Sequence, residues 1–217
     1  QRFVQISRAC AAENQMARMI PIDFVHAPAP QKPRKDADVQ AWAQFRDNQR
    51  EMALPKVGAE RLHALRHHMD QEGQQDRPLW SVVDGGYTNK TFIKHLPERT
   101  IAIGRIRADA KLYHLPDSTE GLPGRNRVYG DRAPTPEELR QDQSVQWQLI
   151  EAFAAGKTHQ FKVKTISPLR WRAAGKQHNL RLIVIAPLGY RLTKQSKMLY
   201  RKPAYLICTN TDADIQK

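Results

Sequence analysis

Acidic residues all but vanish from one long part of this chain. Residues 143–202 hold twelve Lys or Arg and a single acid, Glu151. Cysteine is scarce too: Cys10 and Cys208 are far apart and lack CxxC spacing. That excludes a disulfide scaffold and a thiolate zinc site, and it fits a reducing cytoplasm. No apolar run is long enough to cross a bilayer, and the N-terminus lacks a signal-peptide pattern. There is no P-loop, no GxGxxG, no GxSxG and no HExxH, so nucleotide, dinucleotide, nucleophile-elbow and zincin chemistries have no support. An initial Met is also lacking, and with Gln1 first the chain is read as a piece of a longer protein.

What is present is positive charge, unevenly spread. The net charge is +13 over 217 residues. Residues 1–98 are nearly balanced, with 14 Lys/Arg against 12 Asp/Glu, whereas residues 99–202 hold 20 against 8. Such asymmetry points to a polyanionic partner, most often nucleic acid, with a passive solvated face as the plainer alternative. A basic membrane-surface helix fits less well, because the acid-poor stretch has the pattern of strands. Hydrophobic residues make up 40%, enough for a real core.

The apolar pattern predicts an α/β protein. RFVQISRAC (2–10) suits a strand or a short helix, and RMIPIDFVHAPAP (18–30) a strand running into a proline-rich connector. AWAQFRDNQREMAL (41–54) predicts a helix capped by Asp36 or Asp38 and interrupted at Pro55. GAERLHALRHHMDQEG (58–73) predicts a second helix, with Gly73 as its stop. LWSVVD (79–84) predicts a short buried strand, KTFIKHL a short helix, and RTIAIGRIR (99–107) the next strand. TPEEL has proline at the first helical position and capping-box spacing between Thr135 and Glu138. VQWQLIEAFAAG (145–156) predicts a helix ending at glycine. FKVK (161–164), LRLIVIAP (180–187) and KMLYRKPAYLICTN (197–210) predict strands, so the second half is expected to form a subdomain rather than to continue the first sheet.

The chemistry-bearing candidate is Asp84, at the end of LWSVVD. In an open α/β sheet, functional groups gather beyond the carboxyl ends of the strands. Gly85 and Gly86 behind it allow a tight turn and a close approach by a phosphate, although Asp-Gly after a strand also serves as an ordinary turn. His63 and His67 have metal-ligand spacing on one helix face, but no third ligand follows, and a solvated face is the better reading. His26, among prolines, is read as a packing residue.

IPIDFVHAPAPQKPRK, VVDGGYTNKTFIKHLPERTIAIGRIRADAKLYHLP, YGDRAPTPEELRQD, FKVKTISPLRWRAAGKQHNLRLIVIAPLGYRL and YRKPAYLICTN follow one another along nearly the whole chain. Together they resemble insertion-sequence transposases of the DDE superfamily, in particular the bacterial group of DDE superfamily endonucleases. The resemblance implies a partial ribonuclease-H-like core over 1–107, a β-rich basic insertion subdomain over 108–207, and a return towards the core over 208–217. It implies metal-dependent cleavage and strand transfer of an insertion sequence, with double-stranded DNA as partner at both transposon ends and target. A homodimer on paired ends, no membrane association and a cytoplasmic, nucleoid-associated location go with it. Two Mg²⁺ or Mn²⁺ ions would assist in-line displacement at phosphorus, which is why oxygen-rich carboxylates are required.

On this resemblance Asp84 matches the second of three metal-holding acids. Lys162, Lys164, Arg170, Arg172, Lys176, Arg181, Arg191 and Lys194 become the candidate DNA contacts. The other two acids have no match in the chain. Asp23, in IPIDF, lies in a later matched segment and is not promoted. The third acid belongs to a helix of pattern Tyr-x2-Arg-x3-Glu-x6-Lys. Only Tyr129 is followed by Arg132, and Pro136 then stands in the glutamate place, with Glu137 one position off. The chain alone is therefore expected to be inactive. The alternatives are a non-enzymatic nucleic-acid-binding module, an inactive transposase remnant and, last, a hydrolase-like α/β enzyme on small substrates.

Overall fold

Two antiparallel strands open the chain, β1 (Phe3–Ala11) and β2 (Ala17–His26), with a bulge between Ile6 and Ser7. The structure, a computed structural model, describes residues 1–11, 17–117, 127–154, 157–191 and 195–215. They form two compact units, one of residues 1–79 and 91–100, the other of residues 80–90 and 101–217.

In the first unit the hairpin is followed by α1 (Val39–Glu51) and α2 (Leu54–Gln71). Asp38 caps α1 by accepting the Ala41 amide at 2.7 Å, satisfying one of the otherwise unpaired N–H groups of the first turn. Pro55 falls in the first turn of α2, where its missing N–H costs nothing. The turn after α2 uses Gly73 at φ +76°, a left-handed conformation that glycine tolerates. Arg66 is buried, donating to Asp70 and to the carbonyls of Gln74 and Arg77, so it fastens the end of α2 to the chain that follows. Asp23 of β2 and Arg61 of α2 form a two-pronged ion pair at 2.7 and 2.8 Å.

The second unit is built on one seven-stranded sheet. Its members are β3 (Leu79–Val83), β4 (Thr100–Arg105), β5 (Leu112–His114), β6 (Gln148–Ala154), β7 (Lys157–Trp171), β8 (Gly175–Ile185) and β11 (Ala204–Cys208). The order is β3-β4-β11-β8-β7-β5, with β6 also paired to β7. The Leu79 amide bonds the Arg99 carbonyl at the start of both β3 and β4. A Cβ on Gly85, just past β3, would lie 3.7 Å from the Arg105 carbonyl at the end of β4. The two strands therefore run parallel, and α3 (Lys90–Lys94) is their crossover.

The structure departs from three expectations. The strands of the second half do continue the first sheet, because β4 pairs with β11 and β11 with β8. Residues 148–154, expected within a helix, form a strand instead: β6 pairs with β7 from Gln148↔Val163 to Ala154↔Lys157. The helix-favouring Gln, Leu, Glu and Ala of that stretch are overruled by a non-local partner, as weak local propensity commonly is. β3 is also less buried than expected, with Trp80 and Val82 exposed and alternating with half-buried neighbours.

The core lies where α4 (Pro136–Gln141) covers the sheet. Leu112, Leu139, Leu169, Leu182, Val184 and Tyr205 pack there, with Trp147 and Trp171 at the margin. Each fully buried leucine contributes on the order of 2 kcal/mol relative to exposure. α4 starts as its sequence implies. Thr135 Oγ1 accepts the Glu138 amide at 3.2 Å and the Glu138 carboxylate accepts the Thr135 amide at 2.7 Å. Beyond β8 the chain makes a small separate ribbon, β9 (Leu188–Tyr190) with β10 (Leu199–Arg201). No helix among the described residues is long and apolar enough to cross a membrane.

Candidate functional site

Asp84 follows directly on β3 and is exposed. One carboxylate oxygen, Oδ1, accepts the Gly86 amide at 2.8 Å and the Tyr87 amide at 3.3 Å. Its backbone carbonyl accepts the Thr88 hydroxyl at 2.9 Å and the Thr88 amide at 3.2 Å. The side chain thus shapes the turn that carries it and is held at the carboxyl end of a strand with solvent access. Burial, and next the Asp84 charge, push the Tyr87 hydroxyl above its usual pKa. Thr88 is buried against Gly104 of β4, where no side chain would fit.

A two-ion centre needs carboxylates converging from several elements. Among the described residues no group of three or more His, Cys, Asp or Glu side chains could hold an ion. One carboxylate does not fit two ions. Asp23 gives both oxygens to Arg61, whose hydrogen bond holds its carboxyl below the usual range. Glu137, the near-match to a third acid, is engaged by Arg140, Tyr205 and Gln141. His63 Nε2 contacts the His95 carbonyl at 2.9 Å, and His67 pairs with Gln71.

The eight basic candidates separate into distinct settings. Lys164 is removed from the DNA-facing set: it is 2% exposed, and its ammonium donates to the carbonyls of Leu139, Arg140 and Asp142. The same ammonium lies 4.5 Å from the centre of the Trp147 ring. The alternation in FKVK places Lys162 and Lys164 on one face, but the C-terminal end of α4 covers only the second of them. Its free carbonyls and dipole favour a cation there. Arg170 donates to the Val128 carbonyl at 2.5 Å, and Arg181 to the carbonyls of Thr211 and Ala213, so both tie segments of the chain together. Lys162, Arg172, Lys176 and Arg191 are exposed. Lys194 lies outside the described residues.

Arg172 and Lys176 flank the tight β7–β8 turn. A Cβ on Gly175, the first residue of β8, would lie 3.9 Å from Cγ of Lys90, the residue that opens α3 six positions after Asp84. The fold thus places Lys90 against the basic turn within the second unit. Lys90 carried no motif that would have singled it out. Arg172 also lies over two rings, 4.9 Å from Tyr113 and 5.5 Å from Tyr129, a stack that joins residues far apart in sequence.

A family model described as DDE superfamily endonuclease matches residues 2–177. Neither the curated proteins nor the solved structures compared with the chain include a match. The matched family consists of nuclease-type enzymes that act on DNA and generally use divalent metal ions. By a match over most of its length, including the strand end that presents Asp84, the chain belongs to the DDE superfamily endonucleases.

Proposed function

We propose that the chain carries part of a DNA transposase in which Asp84 is one of the metal-holding carboxylates. The observation that carries this reading is the Asp84 turn. An exposed acid stands at the end of a strand in a parallel β3–α3–β4 unit, one oxygen fixed by two amides. That unit also supports a ribonuclease-H-like arrangement, with the basic later strands extending its sheet. The reaction we assign is cut-and-paste transposition of an insertion sequence with two Mg²⁺ or Mn²⁺ ions. It would be carried out by a homodimer on paired DNA ends in the bacterial nucleoid.

Lys162, Arg172, Lys176 and Arg191 are the proposed phosphate contacts, together with Lys90. Support comes from their exposure and from the absence of any acid between Glu151 and Asp212. The test is metal-dependent cleavage of a duplex by the protein encoded with this chain, set against its Asp84→Asn variant. Undiminished cleavage by the variant would remove Asp84 from the chemistry.

A second reading, DNA binding without catalysis, is favoured by the lack of converging ligands around Asp84 among the described residues. Duplex binding with no cleavage in any divalent metal would select it.

A further inference from the structure

The β9–β10 ribbon combines three features that the Asp84 region does not use. It is a two-stranded antiparallel element separate from the main sheet, paired Leu199↔Tyr190, Tyr200↔Gly189 and Arg201↔Leu188. It is free of acids, and Arg191, Lys197, Arg201 and Lys202 along it are all exposed. It also presents large apolar side chains to solvent: Tyr200 is 74% exposed, Met198 38% and Leu199 37%.

The strand alternation distributes these groups over both faces. Leu199, Tyr190 and Arg201 share one face, where the Arg201 guanidinium lies 5.2 Å from the Tyr190 ring centre. Tyr200 and Met198 share the other, across from Gly189. A Cβ on Gly189 would stand 3.2 Å from both Met198 Sδ and Tyr200 Cε1, so the bare glycine is what lets the tyrosine lie close over the ribbon. A membrane surface wants apolar groups on one side and charge on the other. A groove has two walls, and a ribbon inside it meets apolar and polar surface on both sides. The B-DNA major groove, about 12 Å wide, admits a two-stranded ribbon.

Resting on the DNA reading above, we propose that the β9–β10 ribbon inserts into a groove of double-stranded DNA. Tyr200, Met198 and Leu199 lie against bases and sugars, while Lys197 and Lys202 meet phosphates on either side. The contact is distinct from the Asp84 region and sets where the duplex is gripped rather than whether it is cut.

The experiment is equilibrium binding of a fluorescent duplex by the full chain across a series of salt concentrations. Lys197→Ala/Lys202→Ala is compared with Lys35→Ala/Arg46→Ala, a control that removes the same charge from exposed positions in the first unit. The ribbon variant is expected to lower the magnitude of the log K against log salt slope by about 1.8, for two lost phosphate contacts, and the control to leave it unchanged. Tyr200→Ala is expected to weaken binding about tenfold at constant slope. Each variant is expected to melt like the parent, since these positions are exposed.

Ribbon variants that bind the duplex like the parent, or no worse than the control, would overturn the proposal while the DNA reading stands. So would losses confined to a single-stranded oligonucleotide or to anionic vesicles. A parent chain that binds no duplex at all would bring down the DNA reading itself, and the ribbon with it.

Discussion

Thr88 occupies the space that any side chain on Gly104 would need. A Cβ there would fall 3.0 Å from Thr88 Cγ2 and closer still to its hydroxyl. That hydroxyl is committed to the Asp84 carbonyl, so the threonine has no easy rotation away. Gly104→Ala is expected to cost about 2 kcal/mol, the usual scale of overpacking. The Thr88→Ala/Gly104→Ala pair should recover part of that loss. Urea unfolding of the four members of the cycle measures the coupling, and simple additivity would deny the contact.

Asp84 has a structural role that is separable from any chemistry. Asparagine keeps an oxygen where Oδ1 accepts the Gly86 amide, so Asp84→Asn should leave stability within about 0.5 kcal/mol of the parent. Asp84→Ala loses the turn bond and should cost about 1 kcal/mol. Cleavage by the protein encoded with this chain should be lost in both. A variant that is stable and inactive separates the two roles, whereas equal destabilisation by Asn and Ala would tie the loss to folding.

Lys164 is expected to behave as a core residue. Lys164→Met leaves three carbonyls at the end of α4 without their donor and should cost about 3 kcal/mol. The salt dependence of duplex binding should not change, since the ammonium is out of reach of a phosphate. A reduced slope in a folded variant would return Lys164 to the DNA-facing set.

The Glu137 network sets limits at both ends of the pH scale. Arg140 first, and the Tyr205 hydroxyl second, hold the Glu137 carboxyl down at about 2 against an ordinary 4.5. The folded pKa is the lower one, so its stabilisation is complete above about 4.5 and lost as pH falls through about 2. Tyr205 is pushed up to about 12 from 10, by burial and then by Glu137. Its contribution is complete below pH 10 and disappears as pH rises through about 12. Glu137→Gln should flatten the acid limb of stability against pH. An unchanged limb would mean the pair contributes nothing.

Features encoded within a few residues were legible in the sequence. The Thr135–Glu138 capping box, Asp38 at the start of α1, Gly73 after α2 and the strand ending at Asp84 all rest on neighbours in the chain. What escaped depends on distant partners. The stretch 148–154 has a helix-forming composition, and only β7, arriving later, makes it a strand. The alternation in FKVK correctly split Lys162 from Val163, but nothing local says that the end of α4 will cover Lys164. Lys90 gains its interest solely from the β7–β8 turn packed beside it. Asp84 at a strand end is legible in the pattern, and its two amide bonds follow from the glycine and tyrosine behind it.

β3 stands at one end of the strand order, with Val82 79% and Trp80 48% exposed. An apolar edge strand of this kind recruits strands from other molecules unless charge or a bulge deters them. From Leu79 to Asn89 the only charged side chain is that of Asp84. The substitution that tests its chemistry therefore also strips the edge of its one repulsive group. Light scattering on Asp84→Asn should precede any nuclease assay, because clumped protein would mimic a dead enzyme.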